Sequence, residues 1–512
     1  MPGREATSFL NAPWTATKLK HVNQQSNGDA PVLELDLPPG ERVLFVTTPN
    51  GIASKATQPP AYSAPPINFL WLAAVLLEHG VEVKIVDGYT RSHALEQILE
   101  EISEFQPRIV GYSCFTISLY DTLHLIRAVK ERFPRIASIV GGYHANVSIE
   151  ELIGEPAVDF VCHQEGEFLM PELLNQIVHG APLNELPGLV YREGGDVVRN
   201  TSRDLRRNFD AQPHLPYELL ELDAYRPWAW NFRPGRDRFV ATVTGKGCPL
   251  ACEFCDISKT EGVTYRRMSY TRVVDELAHM NATHGINQIE FYDPLFTLDT
   301  QRVFDVCAEI VRRGLRVTWG CSSTIHKMRN AELAPRMYEA GCRNIFFGIE
   351  SGNRDIMANI KAGMTPEMVR EVVRKTQAAG IRAHCSFVFG LEGDTEATVE
   401  ESIQFALELN PDTVSFSVAQ PYPGTKLWDR MIENDYLLTR DWRDYSAHKG
   451  IWETPDLSAE YVEEQVIRAH RRFYLRPSYI ARRFWRMRSA SDFRFAARIG
   501  WDFARSRVGY RS

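Results

Sequence analysis

The stretch Gly247-Cys-Pro-Leu-Ala-Cys-Glu-Phe-Cys-Asp256 places three cysteines in a Cys-x3-Cys-x2-Cys pattern. Three thiolates at this spacing can hold a 4Fe–4S cluster and leave one iron without a protein ligand, because a closed cluster site uses four cysteines. An open coordination position is what a metal site needs in order to act on a bound molecule. The pattern therefore predicts a catalytic cluster bound by Cys248, Cys252 and Cys255.

The residues around this stretch favour a loop after a buried strand. Phe239-Val-Ala-Thr-Val243 is apolar, as expected of a strand covered on both faces. Gly245, Gly247 and Pro249 then interrupt regular structure. The alternatives are a structural zinc loop or unrelated buried thiols, but zinc usually takes a fourth Cys or His at matched spacing, and none lies nearby in the sequence.

Length and composition favour a multidomain globular protein. The 512 residues suffice for two to four domains, and 44% hydrophobic with 24% charged residues is ordinary for folded chains. The net charge of −7 gives no reason to expect nucleic acid as a partner. No apolar run reaches membrane-spanning length and no signal pattern opens the chain, so we expect a cytoplasmic protein with reduced thiols. The six other cysteines are expected to be buried hydrophobes.

The pattern of apolar segments predicts the domain organisation. Residues 1–40 are polar and are expected to form a flexible leader. Strands and helices alternate over 41–185, which predicts a doubly wound, Rossmann-like α/β sheet with ligands outside the carboxyl ends of its strands. The proline-containing stretch 186–237 is predicted to be an irregular linker.

A second alternating series over 238–455 predicts six β/α units, that is, a partial (β/α)6 barrel. Active sites of β/α barrels lie at the carboxyl ends of the strands. Residues 456–512 are predicted to be helical and are rich in arginine and aromatic residues. This region is either an amphipathic cap on the barrel with a solvated basic face, or a helix lying on an anionic membrane surface.

The cysteine pattern after the first strand of a barrel resembles radical S-adenosylmethionine (SAM) enzymes, which also favour an aromatic residue at the position of Phe254. Two further strand ends are similar to this family. Asp293 stands in Phe291-Tyr-Asp-Pro-Leu-Phe-Thr297, with Pro294 where a second acidic residue is usual, and Glu350 stands in Gly348-Ile-Glu-Ser-Gly352. The resemblance implies that both carboxylates bind SAM; the alternatives are a helix N-cap or a solvated charge.

Two later turns extend the resemblance. Phe387-Val-Phe-Gly-Leu-Glu-Gly-Asp394 is similar to the family's adenine-contacting turn, which implies that the backbone at Val388 and Gly390 lies against adenine. Gln420-Pro-Tyr-Pro-Gly424 matches another family turn and implies that Tyr422 faces the cavity. Lys246 stands where the family often has arginine.

The N-terminal domain resembles the cobalamin-binding domain of the B12-dependent branch of the superfamily. Three segments carry the resemblance and imply cobalamin contacts: Gly111-Tyr-Ser-Cys-Phe-Thr116 with Ser113 and Thr116, Gly141-Gly-Tyr-His144 with Gly141, Gly142 and His144, and Gln164-Glu-Gly-Glu167 with Glu165. The loop Thr47-Thr-Pro-Asn-Gly-Ile52 lacks the cobalt-binding histidine of classical B12 domains. His144 is the alternative ligand, unless it is a hydrogen-bonded surface histidine.

Together these features imply a cobalamin-dependent radical SAM methyltransferase that acts on a small molecule and receives electrons from an external donor such as flavodoxin or ferredoxin. The alternative within the superfamily is a non-methylating enzyme of the oxidative cyclase, dehydratase or hopanoid side-chain type. A non-catalytic iron–sulfur or corrinoid-binding module is disfavoured by the run of family-like strand ends. We expect a cytoplasmic enzyme, with peripheral contact at the inner membrane face if the basic tail binds lipid.

Overall fold

The computed structural model describes residues 20–21, 35–53, 62–202, 209–227, 238–250 and 252–485. An eight-stranded sheet forms the N-terminal part and a six-stranded sheet the C-terminal part; the alternating pattern predicts the second sheet and the parallel strands β2 to β6 of the first. The first sheet comprises β1 (Lys20–His21), β2 (Arg42–Thr47), β3 (Glu82–Asp87), β4 (Ile109–Ser113), β5 (Ala137–Gly141), β6 (Phe160–Cys162), β7 (Leu189–Glu193) and β8 (Asp196–Arg199). Its helices are α1 (Ile67–Glu78), α2 (Gly88–Arg91), α3 (Leu95–Phe105), α4 (Leu119–Arg132), α5 (Tyr143–Val147), α6 (Ile149–Ile153) and α7 (Gly166–His179).

The strand order of the first sheet locates its ligand edge. The parallel strands run β3-β2-β4-β5-β6 in space, so the chain reverses direction across the sheet between β2 and β4. Ligands of doubly wound sheets bind outside the carboxyl ends of the strands at such a reversal. Ser113 ends β4 and Gly141 ends the neighbouring β5, so two predicted cofactor residues lie at this edge.

The stretch after residue 185 differs from the prediction of an irregular linker. β7 pairs antiparallel with β6, and Gly194-Gly195 turns the chain into β8, so the first sheet continues to residue 199. The irregular part begins later. Residues 209–227 contact both domains, because Tyr225 donates a 2.8 Å hydrogen bond to Asp87 and the Leu215 amide donates to Glu276 on the barrel. The remaining linker residues, and most of the predicted leader, lie outside the described residues.

The second sheet is an open, all-parallel half barrel with the spatial order β9-β12-β13-β14-β15-β16. Its strands and the small hairpin at its mouth are β9 (Arg238–Thr242), β10 (Gly245–Lys246), β11 (Arg266–Arg267), β12 (Ile286–Phe291), β13 (Thr318–Ser323), β14 (Cys342–Glu350), β15 (Arg382–Phe389) and β16 (Thr413–Val418). The helices are α8 (Ile257–Thr260), α9 (Tyr270–His284), α10 (Thr300–Arg313), α11 (Ile325–Met328), α12 (Leu333–Glu339), α13 (Arg354–Ile360), α14 (Pro366–Ala378), α15 (Glu396–Leu409), α16 (Lys426–Glu433), α17 (Ala459–Tyr474) and α18 (Pro477–Trp485).

The edge strand β16 is covered by the predicted C-terminal helices. The Tyr474 hydroxyl donates a 2.6 Å hydrogen bond to the Val414 carbonyl and accepts one of 2.9 Å from the Val414 amide. His470 Nε2 accepts from the Phe416 amide, and Tyr479 donates to the Asp412 carbonyl. Side chains of α17 and α18 therefore occupy backbone groups that an edge strand leaves without a neighbouring strand. The most arginine-rich part of the tail, from residue 486, lies outside the described residues.

Candidate active site

The three cysteines lie in a loop closed by a two-strand hairpin. β10 pairs with β11, so the chain leaves the end of β9, forms the loop and returns beside its starting point. Gly247 has a φ of +84°, and a Cβ there would lie 2.2 Å from the Thr264 carbonyl oxygen, so only glycine fits this turn. The Cys248 amide donates to the Gly262 carbonyl and the Cys255 amide donates to the Cys252 carbonyl. These hydrogen bonds fix the shape of the loop through its backbone and do not involve the thiol groups.

The thiols themselves suit a metal cluster. Cys248, Cys252 and Cys255 are half-buried and form no disulfide. Burial raises the pKa of the Cys255 thiol to about 12 and also raises that of Cys252, a rise that the nearby Lys361 ammonium opposes. Iron binding would stabilise the thiolates. Phe254 is half-buried and packs against the barrel core, which anchors the loop beside the third cysteine. Across the described ranges, no three His, Cys, Asp or Glu side chains converge closely enough to hold a single metal ion.

Asp293 lies below the mouth of the barrel rather than at its open surface. Its carboxylate accepts hydrogen bonds of 2.6 Å from the Thr244 amide and 2.7 Å from the Thr244 hydroxyl, and Arg302 lies 3.8 Å away. Burial raises the pKa of the Asp293 carboxyl, and the positive charge of Arg302 opposes that rise. Asp293 thus stands after β12 as expected and ties the end of that strand to the segment that leads into the cysteine loop. Its direct contact with SAM stays a prediction, and these bonds do not favour it.

Glu350 has the strained geometry and the charged partner expected of a ligand-binding residue. Its φ is +69°, a left-handed conformation that costs free energy in a non-glycine residue and is common at functional sites. The Lys361 ammonium lies 2.9 Å from its Oε1 and the Ser386 hydroxyl lies 3.4 Å from its Oε2. Glu350 is therefore neither a helix cap nor a solvated charge. Sequence reasoning missed Lys361, which lies eleven positions along the chain, beyond α13, and carries no motif.

The two later turns adopt tight backbone conformations near the mouth. Gly390 has a φ of +93°, and a Cβ there would lie 2.0 Å from the Trp452 ring. The Asp394 carboxylate accepts from the Gly390 and Leu391 amides, so this departure from the family pattern supports the turn. Val388 is half-buried in the strand just before it.

Tyr422 lies beside the cysteine loop. Its ring centroid is 5.8 Å from that of Tyr445, and burial and Asp256 raise the pKa of its hydroxyl. The Leu427 amide at the start of α16 donates a 3.0 Å hydrogen bond to the Glu253 carbonyl within the loop. The turn that carries Tyr422 therefore contacts the predicted cluster site directly.

The part of the first sheet's carboxyl edge at the ends of β4 and β5, here called the neutral edge, has uncharged and partly apolar residues. The Ser113 hydroxyl accepts a 2.9 Å hydrogen bond from Asn68, and Gly141 is half-buried beside it. Gly142 has a φ of +98°, and a Cβ there would lie 2.9 Å from the Cys114 carbonyl oxygen. Phe115 and Ile117 are 50% and 56% exposed. A flat ring with an apolar face fits this edge better than a charged ligand does.

His144 is buried, which corrects the expectation of a surface histidine. Its side chain has no exposed area; Nδ1 lies 3.1 Å from the Thr116 hydroxyl and Nε2 lies 3.3 Å from Glu151 Oε2. Trp442 of the barrel donates to the same carboxylate and packs edge-on against the histidine ring. Thr116 and His144 thus contact each other, and the histidine faces protein on every side.

Glu165 lies at the interface between the domains. Its Oε1 accepts a 2.7 Å hydrogen bond from Arg266 and lies 3.6 Å from the Lys246 ammonium. Burial opposes ionisation of Glu165, but Lys246 and Arg266 outweigh it and lower its pKa. A cobalamin contact by Glu165 stays a prediction; the structure shows an interdomain ion pair, which the sequence could not reveal because its partners are about a hundred residues away.

One contact joins the two edges directly. The Tyr143 hydroxyl, one residue after Gly142, donates a 3.1 Å hydrogen bond to Glu261 Oε1. The other oxygen of Glu261 accepts from the Gly247 amide, immediately before Cys248. The cysteine loop therefore lies against the carboxyl edge of the first sheet, and two sites predicted from separate motifs form one composite site.

Comparisons with known families agree with this division of the chain. The family described as B12 binding domain matches residues 56–174, and the family described as Radical SAM superfamily matches residues 242–406. The first match contains the Ser113 and Gly141 segments and the second contains the cysteine loop, Asp293, Glu350 and Gly390.

Individual relatives match most of the chain. An uncharacterized methyltransferase of Pyrococcus horikoshii is 33% identical, with 86% of this chain and 94% of the relative covered. The anaerobic magnesium-protoporphyrin IX monomethyl ester cyclase of Rubrivivax gelatinosus is 26% identical over 86% and 78%. The solved structure of the radical SAM methyltransferase TsrM from Kitasatospora setae, with cobalamin and a [4Fe-4S] cluster bound, shares the fold at a TM-score of 0.64 and 21% identity, covering 77% and 75%. The chain belongs to the radical SAM superfamily of enzymes, in the branch that carries an N-terminal B12-binding domain.

Proposed function

We propose that this chain is a cobalamin-dependent methyltransferase that places a methyl group from SAM on a carbon atom of a small molecule. The observation that carries the proposal is the Tyr143–Glu261 contact, which brings the predicted corrin-binding edge against the cysteine loop. When bound, the 4Fe–4S cluster supplies the electron that cleaves SAM, and cobalamin supplies methyl-carrying chemistry. Both cofactors need to face one substrate, and the contact between the two edges supports that arrangement.

Opposite charges at the barrel mouth match the two charges of the methionine part of SAM. We propose that Glu350 binds the ammonium and that Lys361, which pairs with Glu350, binds the carboxylate. Each contact would be a charge-assisted hydrogen bond in a partly buried setting. The backbone at Val388 and Gly390 supports the adenine, and Tyr422 closes the side of the cavity nearest the cysteine loop.

The N-terminal edge fits a corrin that has no protein ligand below cobalt. The loop after β2 is held by Asp121, which accepts hydrogen bonds from the Gly51 and Ala53 amides, and it offers no histidine. His144 is enclosed by Thr116, Glu151 and Trp442. The residues at the ends of β4 and β5 would hold the corrin, and its cobalt would be easier to reduce if the protein supplied no nitrogen ligand, just as the ligands of haem iron set its reduction potential. The missing histidine is therefore compatible with methyl transfer.

The test is anaerobic incubation of the reconstituted enzyme with SAM carrying a labelled methyl group and a small-molecule extract. A labelled product together with S-adenosylhomocysteine and 5′-deoxyadenosine supports the proposal. The triple variant Cys248→Ala/Cys252→Ala/Cys255→Ala is the control and should form no 5′-deoxyadenosine. Labelled product from that variant would contradict the proposal.

The second candidate is a non-methylating radical enzyme of the same architecture. It is favoured by the 26% identity to a cyclase whose alignment covers 86% of this chain. The same incubation separates the two, since a cyclase or dehydratase would yield 5′-deoxyadenosine and a modified product without S-adenosylhomocysteine or the labelled methyl group. A non-catalytic module would yield neither.

Two partner contacts complete the proposal. An external donor such as flavodoxin or ferredoxin would supply electrons, which is tested by replacing a chemical reductant with either protein. The C-terminal region would contact an anionic membrane, since Phe484 and Trp485 are 60% and 83% exposed and the region from Arg468 to Arg511 carries thirteen arginines. Within the described ranges, no helix is both long and apolar enough to cross a membrane. Co-sedimentation with anionic but not neutral vesicles, weakened in Phe484→Ser/Trp485→Ser, would support the contact.

A further inference from the structure

Four charged side chains meet between the domains, two from each. Glu165 and Glu167 come from the end of the first sheet and the start of α7, and Lys246 and Arg266 come from the hairpin strands β10 and β11. We call these four residues the interdomain ion cluster. Lys246 donates 2.7 Å to Glu167 and lies 3.6 Å from Glu165, and Arg266 donates 2.7 Å to Glu165. Two carboxylates thus face two cations.

The surroundings of the ion cluster exclude most water. The four side chains are 6% to 19% exposed. The Lys246 ammonium lies 5.5 Å from the Trp71 ring centroid and the Arg266 guanidinium lies 5.6 Å from that of Phe209, so aromatic faces cover both cations. Removing one partner would therefore leave a buried charge without compensation.

The position of these cations in the sequence gives the contact a consequence at the active site. Lys246 lies two residues before Cys248, and Arg266 pairs with it across the base of the hairpin that closes the cysteine loop. Arg266 also donates 3.1 Å to the Glu261 carbonyl, the residue that binds Tyr143. Because Lys246 and Arg266 lie at the base of the hairpin, a displacement of either residue's backbone would move the loop that carries the thiols.

We propose that the interdomain ion cluster is a positioning device that fixes the orientation of the cysteine loop against the cofactor edge of the N-terminal domain. Glu165 and Glu167 then act by holding the two cofactor sites in a fixed relative position. The inference rests on the proposed function only in that both cofactors are bound here; the contacts of the ion cluster are made entirely between protein side chains.

The test uses two single variants, Lys246→Met and Glu167→Gln, and the double variant Glu167→Lys/Lys246→Glu, which exchanges the two charges. The control is Lys375→Met, which removes an exposed ion pair with Glu371 on α14. Hydrogen exchange is followed in the cofactor-free protein. We expect Lys246→Met to speed exchange of hairpin amides within 245–267 by about tenfold, with the strands of the half barrel unchanged. The double variant with exchanged charges should restore part of the protection of the hairpin amides against exchange. The control Lys375→Met should exchange its hairpin amides at the native rate.

A second measurement addresses positioning in the full enzyme. Pulsed electron paramagnetic resonance between the reduced cluster and bound cob(II)alamin should give one narrow distance in the native protein and a broader distribution in Lys246→Met at equal iron content. If Lys246→Met does not fold, Glu167→Gln replaces it, since Lys246 then keeps Glu165 nearby.

Unchanged exchange and unchanged distances would overturn the inference, as would faster exchange spread evenly over the whole barrel, which would assign the contacts to general stability. The two proposals fail separately. Absence of a methylated product would leave the exchange result in the cofactor-free protein intact, whereas an unaltered hairpin in Lys246→Met would leave methyl transfer intact.

Discussion

The carboxyl edge of the half barrel differs in chemistry from the part of the first sheet's edge at the ends of β4 and β5. At the edge of the half barrel, buried charges are paired, Asp293 with Arg302 and Glu350 with Lys361. At the ends of β4 and β5, Phe115 and Ile117 are exposed, and the turn at Gly142 brings backbone to the surface. The same α/β principle places a site at both edges, but the side chains decide which ligand each one takes.

Two carboxylates at strand ends of the half barrel differ in their partners. Asp293 accepts two hydrogen bonds from Thr244, in the segment after β9, whereas Glu350 pairs with the Lys361 ammonium and lies 3.4 Å from the Ser386 hydroxyl. A lysine side chain can exchange its partner at small cost, while two hydrogen bonds to one buried threonine cannot be exchanged without disturbing the loop.

The largest expected effect concerns the cysteine loop of the barrel edge. Cys248→Ala/Cys252→Ala/Cys255→Ala should abolish iron binding and SAM cleavage, because no other thiol follows the predicted pattern. Iron content and absorbance of the reconstituted protein measure the outcome. Cys307→Ala, a buried thiol on α10, is the control and should retain the cluster. A triple variant that still binds four irons would show that the ligands were misassigned.

The next largest effect tests the charged pair of the barrel edge. Glu350→Gln should weaken SAM binding roughly ten- to a hundredfold, since a charge-assisted hydrogen bond is lost, without loss of the cluster. Lys361→Met should act in the same direction. Equilibrium binding of SAM to the reconstituted protein measures both. Glu367→Gln removes a solvent-exposed carboxylate paired with Arg354 and should leave the affinity unchanged. Equal affinity in all three variants would give Glu350 a structural role.

A glycine substitution tests the neutral edge. Gly142→Ala should lower the cobalamin content at saturating cofactor, because its Cβ would press on the Cys114 carbonyl at a φ of +98°. Gly180→Ala is matched for left-handed backbone, at a φ of +62° with open space around the Cβ, and should cost only about 1 kcal/mol of stability. SAM cleavage should persist in both variants. Normal cobalamin binding by Gly142→Ala would place the corrin elsewhere.

A smaller effect is expected at Asp293, on stability rather than on cofactor affinity. Asp293→Asn should lower the free energy of unfolding by about 1–3 kcal/mol, because the charged acceptor of the Thr244 bonds is lost. Chemical denaturation of the cofactor-free protein measures it, with Asp275→Asn at an exposed pair to Arg313 as the control. Unchanged stability with a large loss of SAM affinity would return Asp293 to the cofactor site.

The smallest expected effect is a null spectroscopic result at the neutral edge. Electron paramagnetic resonance of cob(II)alamin-loaded protein should show no nitrogen superhyperfine splitting, since the His144 ring is enclosed by protein. Splitting that disappears in His144→Ala would identify this histidine as a ligand and would require the contacts with Thr116 and Glu151 to open.

The sequence predicted the alternating elements well, because each strand is a short apolar run bounded by turn residues. It missed β7 and β8, whose five- and four-residue strands lie in a proline-containing stretch that looks irregular locally. The cysteines were predicted from their spacing and Glu350 from a family-like motif, and their roles as ligands stay predictions. No local pattern pointed to Lys361 or Trp442, which lie near these residues and near His144 only because distant elements pack together.

The C-terminal helices have a consequence for the newly made chain. β16 is complete at residue 418, but Tyr474 and Tyr479, which occupy its outer backbone groups, are synthesised some sixty residues later. During that interval the nascent half barrel presents an uncovered parallel edge, the kind of surface onto which another strand can add. A chain terminated after α16 would keep every predicted SAM contact named above, but the edge of β16 would stay uncovered when that chain is released from the ribosome. We therefore expect the last two helices to reduce aggregation as well as to complete the fold.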